Sequence, residues 1–196
     1  MRNRHAITAV VAAAAVFAVG LAGCGSSGSG SPAPGGVQET NPVGDIPDNT
    51  AFVPFRPASG QYEIKVPEGW ARTVSGDVVS FTDKLNTVRV ETVKAAAAPT
   101  ADSARATEVP AIQAASQRFS LQKVETAKRK AGDAVLITYR ADSPVDPVTG
   151  KVVPDAVERY EFWKNGTETI VTLTGPVKAD NVDPWRTVTD SFTWLS

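Results

Sequence analysis

The chain has 196 residues, with 20 lysines and arginines against 21 aspartates and glutamates, and a single cysteine and a single histidine. One cysteine allows no internal disulfide, so a folded domain must be held by its core. A near-neutral balance gives no electrostatic case for nucleic acid or for an anionic membrane face.

The N-terminus begins Met1-Arg2-Asn3-Arg4-His5, basic and without acid, and runs into an apolar stretch from Ile7 to Ala22. That stretch is short of the about 20 residues a permanent span needs, and fits the apolar region of an export signal. It ends in Leu21-Ala22-Gly23-Cys24, the pattern of a bacterial lipobox. A thioether-linked diacylglycerol needs a thiol, and the peptidase that cuts before it needs small side chains at the scissile bond. The expectation is a signal peptide over 1–23, cleavage between Gly23 and Cys24, and acylation of Cys24. Each buried CH₂ then contributes about 0.8 kcal/mol to anchoring, and two chains hold where one would exchange. The chain would sit on the extracytoplasmic face of a cell membrane.

Residues 24–50 read as a lipidated cysteine and a Gly/Ser/Pro tether, acidic at Glu39, Asp45 and Asp48 and free of lysine and arginine. A coil of about 26 residues reaches about 28 Å. Residues 51–196 read as one domain. Removing Arg2 and Arg4 from the cations, and the three tether acids from the anions, leaves 18 of each in it.

Within the domain, Tyr62-Glu-Ile-Lys-Val alternates as a half-buried strand, and Pro67-Glu68-Gly69 turns it into Trp70. Residues 77–82 and 86–93 predict a hairpin. A helix is expected after Pro110, with Ile112, Ala115 and Phe119 on one face. Residues 121–130 and Ala134–Tyr139 predict two strands turning at Gly132-Asp133. A long loop spans Asp142 to Asp155. Strands over 158–164 and 168–174 flank Asn165-Gly166, a type I′ hairpin signal. The end predicts a helix with Asp183 as N-cap, Pro184 at N1, and Trp185, Val188, Phe192 and Leu195 on one stripe. This order predicts an α+β fold, an antiparallel β-sheet packed with helices.

Tyr62-Glu-Ile-Lys-Val-Pro67-Glu-Gly-Trp70 is similar to the first strand and turn of the PsbP-like superfamily, which includes the LpqN-type lipoproteins of actinobacteria. The alanine-rich signal and the segment from Asp180 to Trp194 resemble the actinobacterial branch. The resemblance implies a PsbP-like α/β/α sandwich, and members that are mostly non-enzymatic binding or assembly factors. It transfers no site residue.

Loss of His5 with the signal leaves a mature chain with no histidine, and its one thiol would carry lipid. That excludes Ser-His-Asp and Cys-His catalysis and His- or thiolate-based metal sites, and no cofactor and no metal is expected. Asp142, Asp146 and Asp155 bracket the long loop, but their spacing is not that of a calcium loop and suits turn formation. Thr149-Gly150-Lys151 lacks the upstream glycine of a phosphate loop. Lys128-Arg129-Lys130 reads as a solvated strand end. Trp70, Trp185 and Trp194 read as core. Trp163 falls on the strand face opposite Tyr160 and Phe162, and is expected to mark a partner surface if exposed. The function expected is a non-enzymatic binding or accessory factor of the cell envelope, contacting an envelope protein or an apolar ligand. The alternatives are a carboxylate-dependent envelope hydrolase and a lipid carrier with an apolar cavity.

Cys24→Ala is expected to abolish incorporation of labelled palmitate and to shift the protein out of the membrane fraction. An acylated N-terminal Cys24 in mass spectra of the wild type is the matching positive result.

Overall fold

A computed structural model describes residues 43–195. The signal segment, Gly23, Cys24 and the tether as far as residue 42 lie outside the described residues. The elements are β1 (Phe52–Phe55), β2 (Tyr62–Pro67), β3 (Ala71–Ser75), β4 (Val78–Asp83), β5 (Asn86–Lys94), α1 (Ala101–Ala106), α2 (Glu108–Ala115), β6 (Ser120–Arg129), β7 (Gly132–Asp142), β8 (Pro154–Lys164), β9 (Thr167–Pro176), α3 (Val182–Ser191) and β10 (Thr193–Trp194).

Seven strands form an antiparallel sheet in the order β3-β4-β5-β9-β8-β7-β6, and β1, β2 and β10 form a small second sheet. Period-two alternation in the long strands sorts their residues between two faces. The inner face carries Val79 and Phe81, Val88 and Val90, Val171 and Leu173, Tyr160 and Phe162, and Leu136. It packs on Tyr62, Ile64 and Val66 of β2 and on Trp185, Val188 and Phe192 from α3 onward. Phe192 is the centre of this layer. It stacks on Phe162 at 4.4 Å and Tyr62 at 5.5 Å, and Trp194 meets it edge-on at 5.1 Å. Burying a side chain of this size contributes about 1.5–3 kcal/mol. On the outer face a second cluster joins Ala104 and Val109 of α1 and α2 to Val124, Val135 and Ile137 of β6 and β7.

The expected strands and hairpins are present. Asn165 (φ 49°) and Gly166 (φ 77°) both lie in the left-handed region, as a type I′ turn requires. Several expectations need correction. Residues 43–50 are not tether: Ile46 is 4% exposed, and the Asp45 carboxylate accepts the Asp180 N–H at 2.9 Å. The middle helical stretch is two helices: α1 starts at Ala101, where Thr100 and Ser103 form a reciprocal cap, and α2 starts at Glu108 with Pro110 in its first turn. Ala115 is exposed and Phe119 lies beyond the helix, because Ser116 returns the chain to an extended form. The last helix is capped at Asn181, not Asp183, and Leu195 is exposed past its end. The strands β1, β3 and β10 were not anticipated.

Buried amides tie the N-terminal stretch to the sheet and to α3. Asn181 Oδ1 accepts the Ile46 N–H at 2.8 Å, while its Nδ2 donates to Asn86 Oδ1 at 2.9 Å and to the Gly44 carbonyl at 3.1 Å. Asn86 Nδ2 donates to the same carbonyl at 2.8 Å. Gly175 passes so close that an added Cβ would lie 2.4 Å from Asn86 Oδ1. Asn181→Ala is expected to cost about 2–3 kcal/mol in a denaturant titration, since it strands buried polar groups. Gly175→Ala is expected to destabilise as well, through the same corner, without loss of far-ultraviolet circular dichroism at low denaturant.

Candidate binding groove and the charged sheet face

Two regions outside the core gather chemistry. The first is a groove of about 430 Å³ between the β1–β2 connection and the β3–β4 hairpin, lined among others by Phe55, Arg56, Tyr62, Arg72, Val74 and Val79. Local sequence builds both walls. Pro57 and Gly60 close the β1–β2 turn through the Gly60 N–H to the Pro57 carbonyl at 2.9 Å. Gly76 (φ 58°) opens the two-residue turn with Asp77, as Gly does at the first central position of a type II′ hairpin. Phe55 is set by an edge contact with Phe81 at 5.1 Å.

The groove holds one cation without an acid partner among the described residues, Arg72. Arg56 pairs with Glu63 at 2.5 Å. Arg72 lies 5.9 Å over the Phe55 ring and makes no ion pair among the described residues. Asp77, at the turn, is the one carboxylate in the lining. Burial pushes the Tyr62 phenol above its ordinary pKa, so it stays neutral.

The second region is the outer face of β5, β9 and β8, next to the helix-covered part. Arg89 and Arg159 both stand opposite Thr172, and Glu91 and Glu161 both stand opposite Ile170. Each arginine pairs with the glutamate two residues on: Arg89 with Glu91 at 2.6 Å, Arg159 with Glu161 at 2.8 Å. Glu161 is 1% exposed, and its Oε2 has no hydrogen-bond partner among the described residues. Burial raises its pKa and Arg159 opposes the rise. Glu168 is pushed up to about 7, first by burial and then by the Glu161 charge.

The aspartates of the 142–155 loop do separate jobs. Asp142 accepts from Arg118 at 2.7 Å, and Asp146 accepts the Val148 and Thr149 amides at 3.0 and 2.6 Å, which makes a turn. Asp155 is buried and pushed up to about 6 by that burial and by the Asp142 charge. Among the described residues no three acidic side chains converge as a metal site would require. Trp163 is half-buried, and its indole N–H donates to the Ala95 carbonyl at 2.9 Å, which ties the ring to the linker before α1. Gly23 and Cys24 lie outside the described residues.

Sequence reading missed the groove arginines and the ion pairs of the outer sheet face. The repeated Arg-x-Glu spacing at 89–91 and 159–161 was the available signal: charges at period two in strands whose other face is apolar. Arg72 had none, because β3 is exposed along its whole length.

No family model and no curated protein matches the chain. Among solved structures, cyanobacterial PsbP from Synechocystis is similar, with a TM-score of 0.52 at 17% identity, over 79% of this chain and 100% of that one. The fold is PsbP-like. The yeast Ran-binding protein Mog1p (TM-score 0.45, 9% identity, 66% of this chain and 79% of that one) also resembles it. So does LpqN of Mycobacterium tuberculosis, involved in cell envelope biogenesis (0.45, 12%, 76% and 93%).

Two outcomes follow from the charged face. Arg159→Met is expected to cost about 3 kcal/mol, because it leaves Glu161 buried and unpaired, whereas Arg159→Met with Glu161→Met recovers most of the loss; urea melts of the three proteins measure it. Glu168 and Asp155 have raised native pKa values, so the native state holds protons that the unfolded chain releases. Their stabilising contribution is full in acid and is lost as pH rises through about 6 and about 7. Glu168→Gln is therefore expected to gain about 1–2 kcal/mol over wild type at pH 8, after allowance for solvent screening, and nothing at pH 4.

Proposed function

We propose that the chain is a lipoprotein held by acylated Cys24 on the extracytoplasmic face of a cell membrane, whose PsbP-like domain is a non-enzymatic binding or accessory factor of the cell envelope. The observation that carries the binding role is the composition of the groove: an apolar floor of Phe55, Tyr62 and Val79 beside Arg72, a cation with no acid partner among the described residues. Such a lining orients a ligand, while hydrolysis by two carboxylates needs a pair about 5–10 Å apart in one cleft.

None of the acids with raised pKa values, Asp155, Glu161 and Glu168, lines the groove. Glu161 is sealed and ion-paired. Asp155 shares the cleft under its loop with Asp146, whose carboxylate is committed to backbone amides. The lipid-carrier reading loses ground for a different reason: stacked rings fill the space between the inner sheet face and α3. A ligand, whether an envelope protein or an apolar molecule, would meet the domain at the open groove.

Photo-crosslinking amino acids at Ala58 and Ser59 on the groove rim, and at Thr126 on the far edge strand, test this in cells carrying the lipidated protein. The expected result is adducts from the rim positions and none from Thr126. Equal labelling from all three, or a hydrolytic turnover lost on Asp155→Asn, would overturn the reading.

A further inference from the structure

The two edges of the seven-stranded sheet are built differently. An edge strand presents unpaired N–H and C=O groups, and proteins blunt it with bulges, inserted charges or a cover. The β6 edge has such devices: a register shift between Leu121 and Lys123, and the exposed cations Lys123 and Lys128 along its length. The β3 edge has almost none. Its register with β4 is unbroken over all five residues, it contains no proline or lysine, every residue is exposed, and Val74 is 65% exposed. Among the described residues the β3 backbone bonds only within its ladder to β4. In an antiparallel ladder every second residue of an edge strand points both backbone groups outward.

The groove described above lies along this edge. Arg72 and Val74 stand opposite Phe81 and Val79, whose side chains are in the core, so both fall on the groove side of the sheet and both line it. A strand laid outside β3, about 4.8 Å away, would send alternate side chains over the groove. Arg72, with no acid partner among the described residues, sets the charge that suits those side chains; Arg56 at the far wall is held by Glu63. Self-pairing of two β3 edges about Thr73 is disfavoured: it sets the Arg72 of one copy diagonally across from the Arg72 of the other on the same face.

We propose that the outer edge of β3 takes an extended segment of a partner protein as an added strand, with an acidic side chain directed to Arg72 and apolar ones over the groove floor. This rests on the binding role assigned to the groove and names the class of partner: main-chain hydrogen bonds supply affinity and the groove supplies sequence preference.

Hydrogen-exchange mass spectrometry on the full chain in mild detergent tests it. The probe is a blocked peptide of alternating glutamate and valine, with an alternating lysine and valine peptide as its counterpart. The amides of 71–75 are expected to exchange about tenfold more slowly with the glutamate peptide and to be unchanged by the lysine peptide. Arg72→Glu is expected to reverse that preference. Val74→Pro, which removes a donor from an exposed edge, is expected to lose protection with either peptide while keeping the wild-type melting temperature. Protection at β6 or nowhere, equal protection by the two peptides, or protection that grows with protein concentration alone would overturn the proposal; the last would mark a second copy as the occupant. Rim crosslinks at Ala58 and Ser59 without β3 protection would leave the binding role standing and remove the added strand. Loss of both would remove both.

Discussion

A pair of buried carboxamides organises this domain. Asn86 opens β5, Asn181 caps α3, and the two share a hydrogen bond and the Gly44 carbonyl while Gly175 of β9 runs beneath them. Each amide nitrogen and oxygen has a partner, which is the condition for burying polar groups at low cost. The hub sets where α3 starts, and therefore where Trp185, Val188 and Phe192 meet the sheet. It also draws the stretch before β1 into the domain: the Ile46 N–H donates to the Asn181 oxygen, and the Ile46 side chain closes the core.

With the inner face committed to packing, the outer face divides into an apolar part under α1 and α2 and a charged part beyond them. The charged part is not an ordinary solvated surface. Two arginines and two glutamates pair along their own strands on a half-buried sheet, and one carboxylate is closed off from water altogether. Partial burial in a medium of lower effective dielectric strengthens such pairs and makes an excess glutamate such as Glu168 hold its proton. The effect on stability is conditional on pH, and it is strongest where the acids outnumber the arginines.

The groove lies on the other side of the molecule's business. It exists because β1 and β2 pack against the inner face only as far as Phe55 and Tyr62, so the β3–β4 hairpin extends past them without a partner. The same lack of cover that opens the groove leaves the β3 edge free. Position, charge and an unpaired edge thus have one structural cause, the short reach of the small sheet.

The long strands, the Asn165-Gly166 hairpin, the terminal helix and the α+β class could be read from the chain alone, because period, turn chemistry and helix-start residues are local properties. The absence of histidine and thiol chemistry from the domain was equally a matter of composition. The packing of Ile46, β1, β3 and the groove could not be read, since β3 has no buried face to give a period and Ile46 is surrounded by turn residues. Nor could sequence show that Arg159 and Glu161 pair on the outer sheet face while Tyr160 between them enters the core, or that Asn86 and Asn181 meet. Those pairings join residues far apart in the chain, and only the registers of the assembled sheet and the docking of α3 bring them within hydrogen-bonding distance.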